Sequence, residues 1–161
     1  MEKVNHPQYY NRHPSGVECI DIIRNYVCDI ANAQKYLWRA GLKGEEGLTP
    51  VAKEVEDLQK AVWYIHDFID NYMNNAYVHS NEPHVVRLAD GRVIHREDIS
   101  RYYVEDIGWA IQCLWDNGVV VDGMVVVSSN CMAEMIMAIN SIECRIKHLQ
   151  NNLKNSKSCS K

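Results

Sequence analysis

Phenylalanine occurs once in this chain, against nine tyrosines and four tryptophans. The aromatic content is almost entirely of the kind that carries a polar handle. A basic excess is also missing: 17 Lys and Arg face 21 Asp and Glu, for a net charge of −4. That excludes a general nucleic-acid binder, whose footprint is a basic face. No apolar run approaches the roughly 18 residues that suggest a membrane span. The start, MEKVNHPQYYNRHP, lacks the apolar stretch of a secretion signal. The six cysteines include no C-x-x-C pair, so zinc and thioredoxin spacings are absent. The expectation is a cytoplasmic protein with reduced thiols and no membrane partner.

Several catalytic signatures are missing too. There is no G-x-x-x-x-G-K-[ST]; GLKGEEGLT at 41–49 has glycines and a lysine in the wrong order. G-x-G-x-x-G and G-x-S-x-G are absent, which argues against P-loop, Rossmann and α/β-hydrolase enzymes. None of the seven histidines sits in H-E-x-x-H.

What is present is a globular composition, 47% apolar and 24% charged over 161 residues. Ser15 followed by Glu18 has the spacing of a capping box and predicts a helix opening there. A second helix is expected over about 29–40, closed by Gly41. Thr49 and Pro50 then read as N-cap and first-turn proline of a third. Its Val51, Val55, Leu58, Val62, Ile65, Ile69, Tyr72 and Ala76 form a heptad seam. A second seam over about 130–154 joins Met132, Met135, Ile139, Ile142, Ile146, Leu149 and Leu153. Between them, Asp90-Gly91 and Asp122-Gly123, each flanked by β-branched residues, predict two-residue hairpins. A helix is expected over 98–116. The fold class expected is mainly α, a helical core with two long heptad-patterned helices and a small antiparallel β hairpin element or sheet. The division expected is a helical part at 1–79, a helix and hairpin part at 80–155 packing on it, and a disordered tail at 156–161. The seams serve either intrachain packing or a homo-oligomer.

Chemistry concentrates in residues 5–64. Lys35 and Arg39 are four apart and share a helix face. Lys43 lies just beyond, and Tyr36, Trp38, Trp63 and Tyr64 add flat rings. Cations for phosphate and rings for a base are the ingredients of a nucleotide site. On this reading Arg39 is a surface residue whose removal costs the fold little. Glu54, Glu56 and Asp57 crowd the start of the third helix, where its dipole favours acids without any metal.

Four ordered segments, VNHPQYYN, SGVECIDII, NAQKYLWRAGLKG and EDLQKAVWYI, resemble the motifs of a small tailed-phage family catalogued as SaV-like or of unknown function. The resemblance covers about residues 4–69. That family includes an atypical nucleotide kinase that lacks a Walker motif and acts on deoxynucleoside monophosphates. By resemblance, ligand-binding roles fall on His6, Tyr9, Tyr10, Lys35, Tyr36, Trp38, Arg39, Lys43, Lys60, Trp63 and Tyr64. Glu18, Asp21 and Asp57 are further matched positions.

The function this implies is a phage protein, in the host cytosol, that binds and sequesters a small phosphorylated nucleotide. The ligand would be a deoxynucleotide or a cyclic-nucleotide defence messenger, with no cofactor required for binding. The alternative is a nucleoside monophosphate kinase without a P-loop. It would use ATP and Mg²⁺, with Asp57 or Asp21 positioning the metal. A third reading is an adaptor for a host protein, supported only by the seams and the basic tail.

Overall fold

The computed structural model describes residues 7–11, 13–72 and 77–158, with side chains through 155. His6, the seam residue Ala76 and residues 159–161 lie outside that set. The chain runs α1 (Gln8–Asn11), α2 (Cys19–Ile23), α3 (Cys28–Arg39), α4 (Pro50–Tyr72) and β1 (Val78–Ser80). It continues β2 (Val86–Arg87), β3 (Val93–Ile94), α5 (Arg96–Ser100) and α6 (Glu105–Trp115). It closes with β4 (Val119–Val121), β5 (Met124–Ser128) and α7 (Cys131–Ser158). The fold is mainly helical with a minor β part. The backbone of α7 is helical through Ser158, past the expected start of an irregular tail.

Helix ends follow local chemistry. Gly41 takes φ +75 just past α3, a conformation that costs glycine least. At α4, Thr49 Oγ1 accepts the Ala52 N–H at 3.1 Å. This cap satisfies one of the amides left without an intrahelical partner at a helix start. Ser15 behaves differently from expectation. The His13 carbonyl accepts the Gly16 N–H at 2.9 Å and Gly16 has φ +70, so the chain turns there and α2 waits until Cys19.

The core forms where α3, α4, α6 and α7 meet. Each contributes a fully buried alanine (Ala33, Ala61, Ala110, Ala138), and small residues let helix axes approach closely. Around them lie Ile30 and Leu37, Leu58 and Ile65, Ile111 and Leu114, and Met135 and Ile142. The α7 seam is thus used inside the chain. On α4 the buried stripe is Lys53, Asp57, Leu58, Ala61, Ile65 and Phe68, so it overlaps the predicted seam only at Leu58 and Ile65.

The expected helix over 98–116 is two helices. Val104 is extended, and α6 then packs back against the end of α5. A Cβ on Gly108 would stand 2.7 Å from the Ser100 carbonyl oxygen, so only glycine permits that approach. The Asp122-Gly123 hairpin is the two-residue form, with φ +50 and +77 and Val121 opposite Met124. The other hairpin has three loop residues. Leu88 donates to Arg92 across the pair, and Gly91 at φ +88 donates back to Leu88.

β1 pairs parallel with β5, with Val78 opposite Val126, so the sheet is mixed, in the order β1-β5-β4. The α2–α3 connection attaches to its other edge. Val27 N–H donates to Gly118 O, Val120 N–H to Asn25 O, and Tyr26 Oη to Trp115 O, each at 2.8 Å. Asn117, fully buried, joins three elements. It donates to Cys113 O and to Glu134, and accepts from Ser128 N–H.

Gly118 is the tightest point of that attachment. It has φ +72, and a Cβ there would lie 2.7 Å from Ile30 and 2.9 Å from Val27. Gly123 has a similar φ but open space. In urea titrations, Gly118→Ala should cost about 3 kcal/mol, strain and overpacking combined. Gly123→Ala should cost only about 1 kcal/mol, from strain alone.

Candidate functional site

The centre of the site is an enclosed carboxylate. Asp57, on the second turn of α4, is fully buried, and both of its oxygens are taken. Arg39, on the last turn of α3, donates Nη2 to Oδ1 at 2.9 Å and Nε to Oδ2 at 3.2 Å. Lys53, 1% exposed, reaches Oδ1 at 3.3 Å. Burial alone would lower the Lys53 pKa, but Glu45 at 2.8 Å, Glu56 and Asp57 outweigh it and hold the ammonium charged. Glu56 also pairs with Lys60.

Around this pair the rings assemble. Arg39 Nη1 donates to Tyr10 Oη at 2.9 Å, and its Cζ lies 4.5 Å from the Tyr36 ring centre. Lys35 and Lys60 flank the same ring at 5.0 and 5.8 Å. Tyr36 stacks on Tyr64 at 5.8 Å, and Trp63, 59% exposed, meets Tyr64 edge-on at 4.9 Å. On the other side Tyr9 packs on Tyr10, and Lys43 lies 5.8 Å from the Tyr9 ring. Tyr9, Tyr10, Lys35, Tyr36, Arg39, Lys43, Lys60, Trp63 and Tyr64 therefore form one continuous patch. A slot of about 240 Å³ opens beside it, walled by Pro7, Tyr10, Cys19, Ile20, Ile23 and Lys35. Burial pushes the Cys19 thiol up to about 12, so at its floor it is inert.

Two predicted site residues stand elsewhere or in another role. Trp38 is 3% exposed and packs on His13 at 4.5 Å, facing the core, so no ligand ring stacks on it. Arg39 is 8% exposed and holds Asp57, so it is no surface cation. The acids at the start of α4 are ion-pair partners rather than dipole caps: Glu54 holds Arg145, Glu56 holds Lys53 and Lys60, and Asp57 holds Arg39. Asp57 thus has no oxygen open to a metal, and Asp21 pairs with Arg24 on the surface. No group of three or more metal-ligating side chains occurs among the described residues. Lys53 and Glu45 were not singled out in the sequence, although Lys53 precedes Asp57 by one helical turn.

His13 heads a second cluster behind α3. Its ring lies against Trp38 and stacks on Tyr103 at 5.5 Å, with Tyr102 edge-on at 5.2 Å. Burial pushes its pKa down to about 4.

Arg39→Ala strands a buried carboxylate. Lys53 remains beside it, so the expected loss is about 3 kcal/mol in chemical denaturation, near the low end for a broken buried pair. The His13 shift has a definite sign. The unfolded ring, with the ordinary value of 6.5, takes up a proton that the folded ring refuses. Its contribution is complete above pH 6.5 and is lost as pH falls toward about 4. The stability of His13→Phe should therefore fall less steeply over that window than that of the parent chain.

Residues 4–66 match the model of a protein family of unknown function, DUF3310. The match takes in α1 to α3 and α4 as far as His66, the segment that builds the patch. No curated protein and no solved structure matches the chain.

Proposed function

We propose that the patch binds a small phosphorylated nucleotide and holds it without turning it over. The supporting observation is the convergence of Lys35, Lys60 and Arg39 on the Tyr36 ring, one face of which is stacked on Tyr64. Lys35 and Lys43 have no carboxylate within ion-pair distance among the described residues; Lys35 bonds Asn32 and Lys43 lies by Tyr9. These two ammoniums, with Lys60 exchanging Glu56 for the ligand, supply the phosphate contacts. Trp63 supplies an open face for a base. Arg39 and Lys53 act through position: they keep the rings and the lysines in register.

On the resemblance to the tailed-phage family, the ligand would be a deoxynucleotide or a cyclic-nucleotide messenger met in an infected host cell. The kinase reading would add ATP and Mg²⁺, and enclosure of Asp57 removes the metal role that reading gave it. Sequestration needs only the anion-binding half of the site.

Native mass spectrometry and thermal shift against deoxynucleotides and cyclic dinucleotides test the reading together. A bound species and a raised melting temperature are expected. Lys35→Ala and Lys60→Ala should each weaken binding tenfold or more. Their effect on folding should stay within about 0.5 kcal/mol, as for ordinary surface substitutions. Absence of a shift with every nucleotide overturns the proposal. Diphosphate produced from a deoxynucleoside monophosphate with ATP and Mg²⁺ would overturn sequestration in favour of the kinase.

A further inference from the structure

The slot beside the patch is left unused by the phosphate contacts. At about 240 Å³ it falls below the ~300–1,000 Å³ of typical small-molecule sites, so it has room for one part of a ligand and not for the whole. Cys19, Ile20, Ile23 and the Tyr10 ring make its walls largely apolar. Ile20 is 49% exposed, so a large apolar side chain stands open at its rim. The segment SGVECIDII supplies three of these residues and none of the patch's cations or rings. Every wall residue of the slot falls within the 4–66 family match.

Two residues belong to both slot and patch. Tyr10 walls the slot and accepts from Arg39. Lys35 walls it too, forms no ion pair among the described residues, and lies 5.0 Å from the Tyr36 ring centre. A phosphate on Lys35 therefore has the slot open beside it. The phosphate itself is poorly suited to entering. Apolar walls would strip its water, and Glu18 adds a carboxylate to the lining. The flat, uncharged part of a nucleotide, its base, suits those walls, because burial of its faces against them is favourable.

The slot is distinct from the patch's other ring-accepting surface. Trp63, 59% exposed, is on α4, whereas the slot is walled by α3 and by residues that precede it. Contacts run from Trp63 to Tyr64 at 4.9 Å, from Tyr64 to Tyr36 at 5.8 Å, and from Tyr36 to Lys35, where the slot begins. Lys60 flanks the same Tyr36 ring. Two surfaces suited to a base thus stand at the ends of a path with ammoniums at its centre. A nucleotide with a single base leaves one end empty. One with two bases and phosphate between them fills both.

Building on the reading of the patch as a phosphate site, we propose that its ligand is a dinucleotide. One base enters the slot, the other lies on Trp63, and the phosphates rest on Lys35 and Lys60 between them. Ile20 and Ile23 then set the preference for two bases over one.

Calorimetric titration tests this with three sets of probes: deoxynucleoside monophosphates, linear 5′-phosphorylated dinucleotides, and cyclic dinucleotides. At least one dinucleotide should bind about tenfold or more tighter than any monophosphate, and its set separates linear from cyclic ligands. In NMR of the parent chain, that dinucleotide should shift the methyl resonances of Ile20 or Ile23 and the indole of Trp63 together. Ile20→Asp and Trp63→Ala, both at exposed positions, should each bring dinucleotide affinity down to the monophosphate level. If Ile20→Asp fails to fold, the NMR shifts decide. The inference is overturned, with the phosphate reading intact, if monophosphates bind as tightly as dinucleotides. It is equally overturned if Ile20 and Ile23, or Trp63, stay unshifted in a complex that moves Tyr36. If no nucleotide of any set binds, both readings fall.

Discussion

Asp57 is the constraint on which the N-terminal half depends. A carboxylate moved from water into a helix interface costs several kcal/mol unless it is paired and bonded. Here it takes Arg39 bidentately and Lys53 besides. The bidentate fork fixes direction as well as distance. Arg39 is on the last turn of α3 and Asp57 on the second turn of α4, so the contact sets the register of two helices joined by the 40–49 connection. Tyr36 lies about one turn before Arg39, and Lys60 about one turn after Asp57. Fixing the pair thereby brings Tyr36 to Tyr64 and Lys60. The patch is a consequence of that register.

The cations in this region divide by partner rather than by residue type. Arg39 and Lys53 are enclosed and committed to carboxylates. Lys35 and Lys43 are half-buried and form no ion pair among the described residues; Lys35 bonds Asn32 and Lys43 lies by the Tyr9 ring. Lys60 stands between, 42% exposed at its side chain and paired with Glu56. Glu56 has Lys53 as a second partner, so an anion drawing Lys60 away would leave no carboxylate stranded. Glu45 meanwhile ties the exposed 40–49 connection, which carries Lys43, to buried Lys53. Local alternation of charge thus separates the cations that fix the helix register from those left at the surface of the patch.

Much of the helical framework could be read from residue chemistry. Gly41, Thr49 with Pro50 and Asp122-Gly123 mark their boundaries because each meets a local demand: a positive φ, a free amide, a tight turn. The α7 seam also matched its buried face. The α4 seam matched less well because the deepest stripe contains Lys53 and Asp57, which a count of apolar residues skips. The parallel pairing of β1 with β5 left no local mark, since it joins Val78 to Val126 across nearly fifty positions. The α5–α6 break depends on Gly108 approaching Ser100, again a tertiary contact. For the site, the motif segments located the residues, but their roles depended on burial. Trp38 and Arg39 are neighbours in sequence and share the same composition argument, yet one packs on His13 and the other holds Asp57.

That divergence explains the placement of the segment before α2. Adjacent residues on a helix point about 100° apart, so Arg39 and Trp38 face different sides of the end of α3. Tyr10 bonds the first and His13 packs on the second, so these two side chains lie on either side of the helix end. Tyr10 walls the slot beside the patch, and His13 walls a separate groove that also takes in Tyr102, Tyr103 and Arg145. α1 has four residues and buries none of them fully. With no fully buried residue of its own, α1 is placed by its packing on α2 and α3, and Tyr10 is the side chain that ties it to the end of α3.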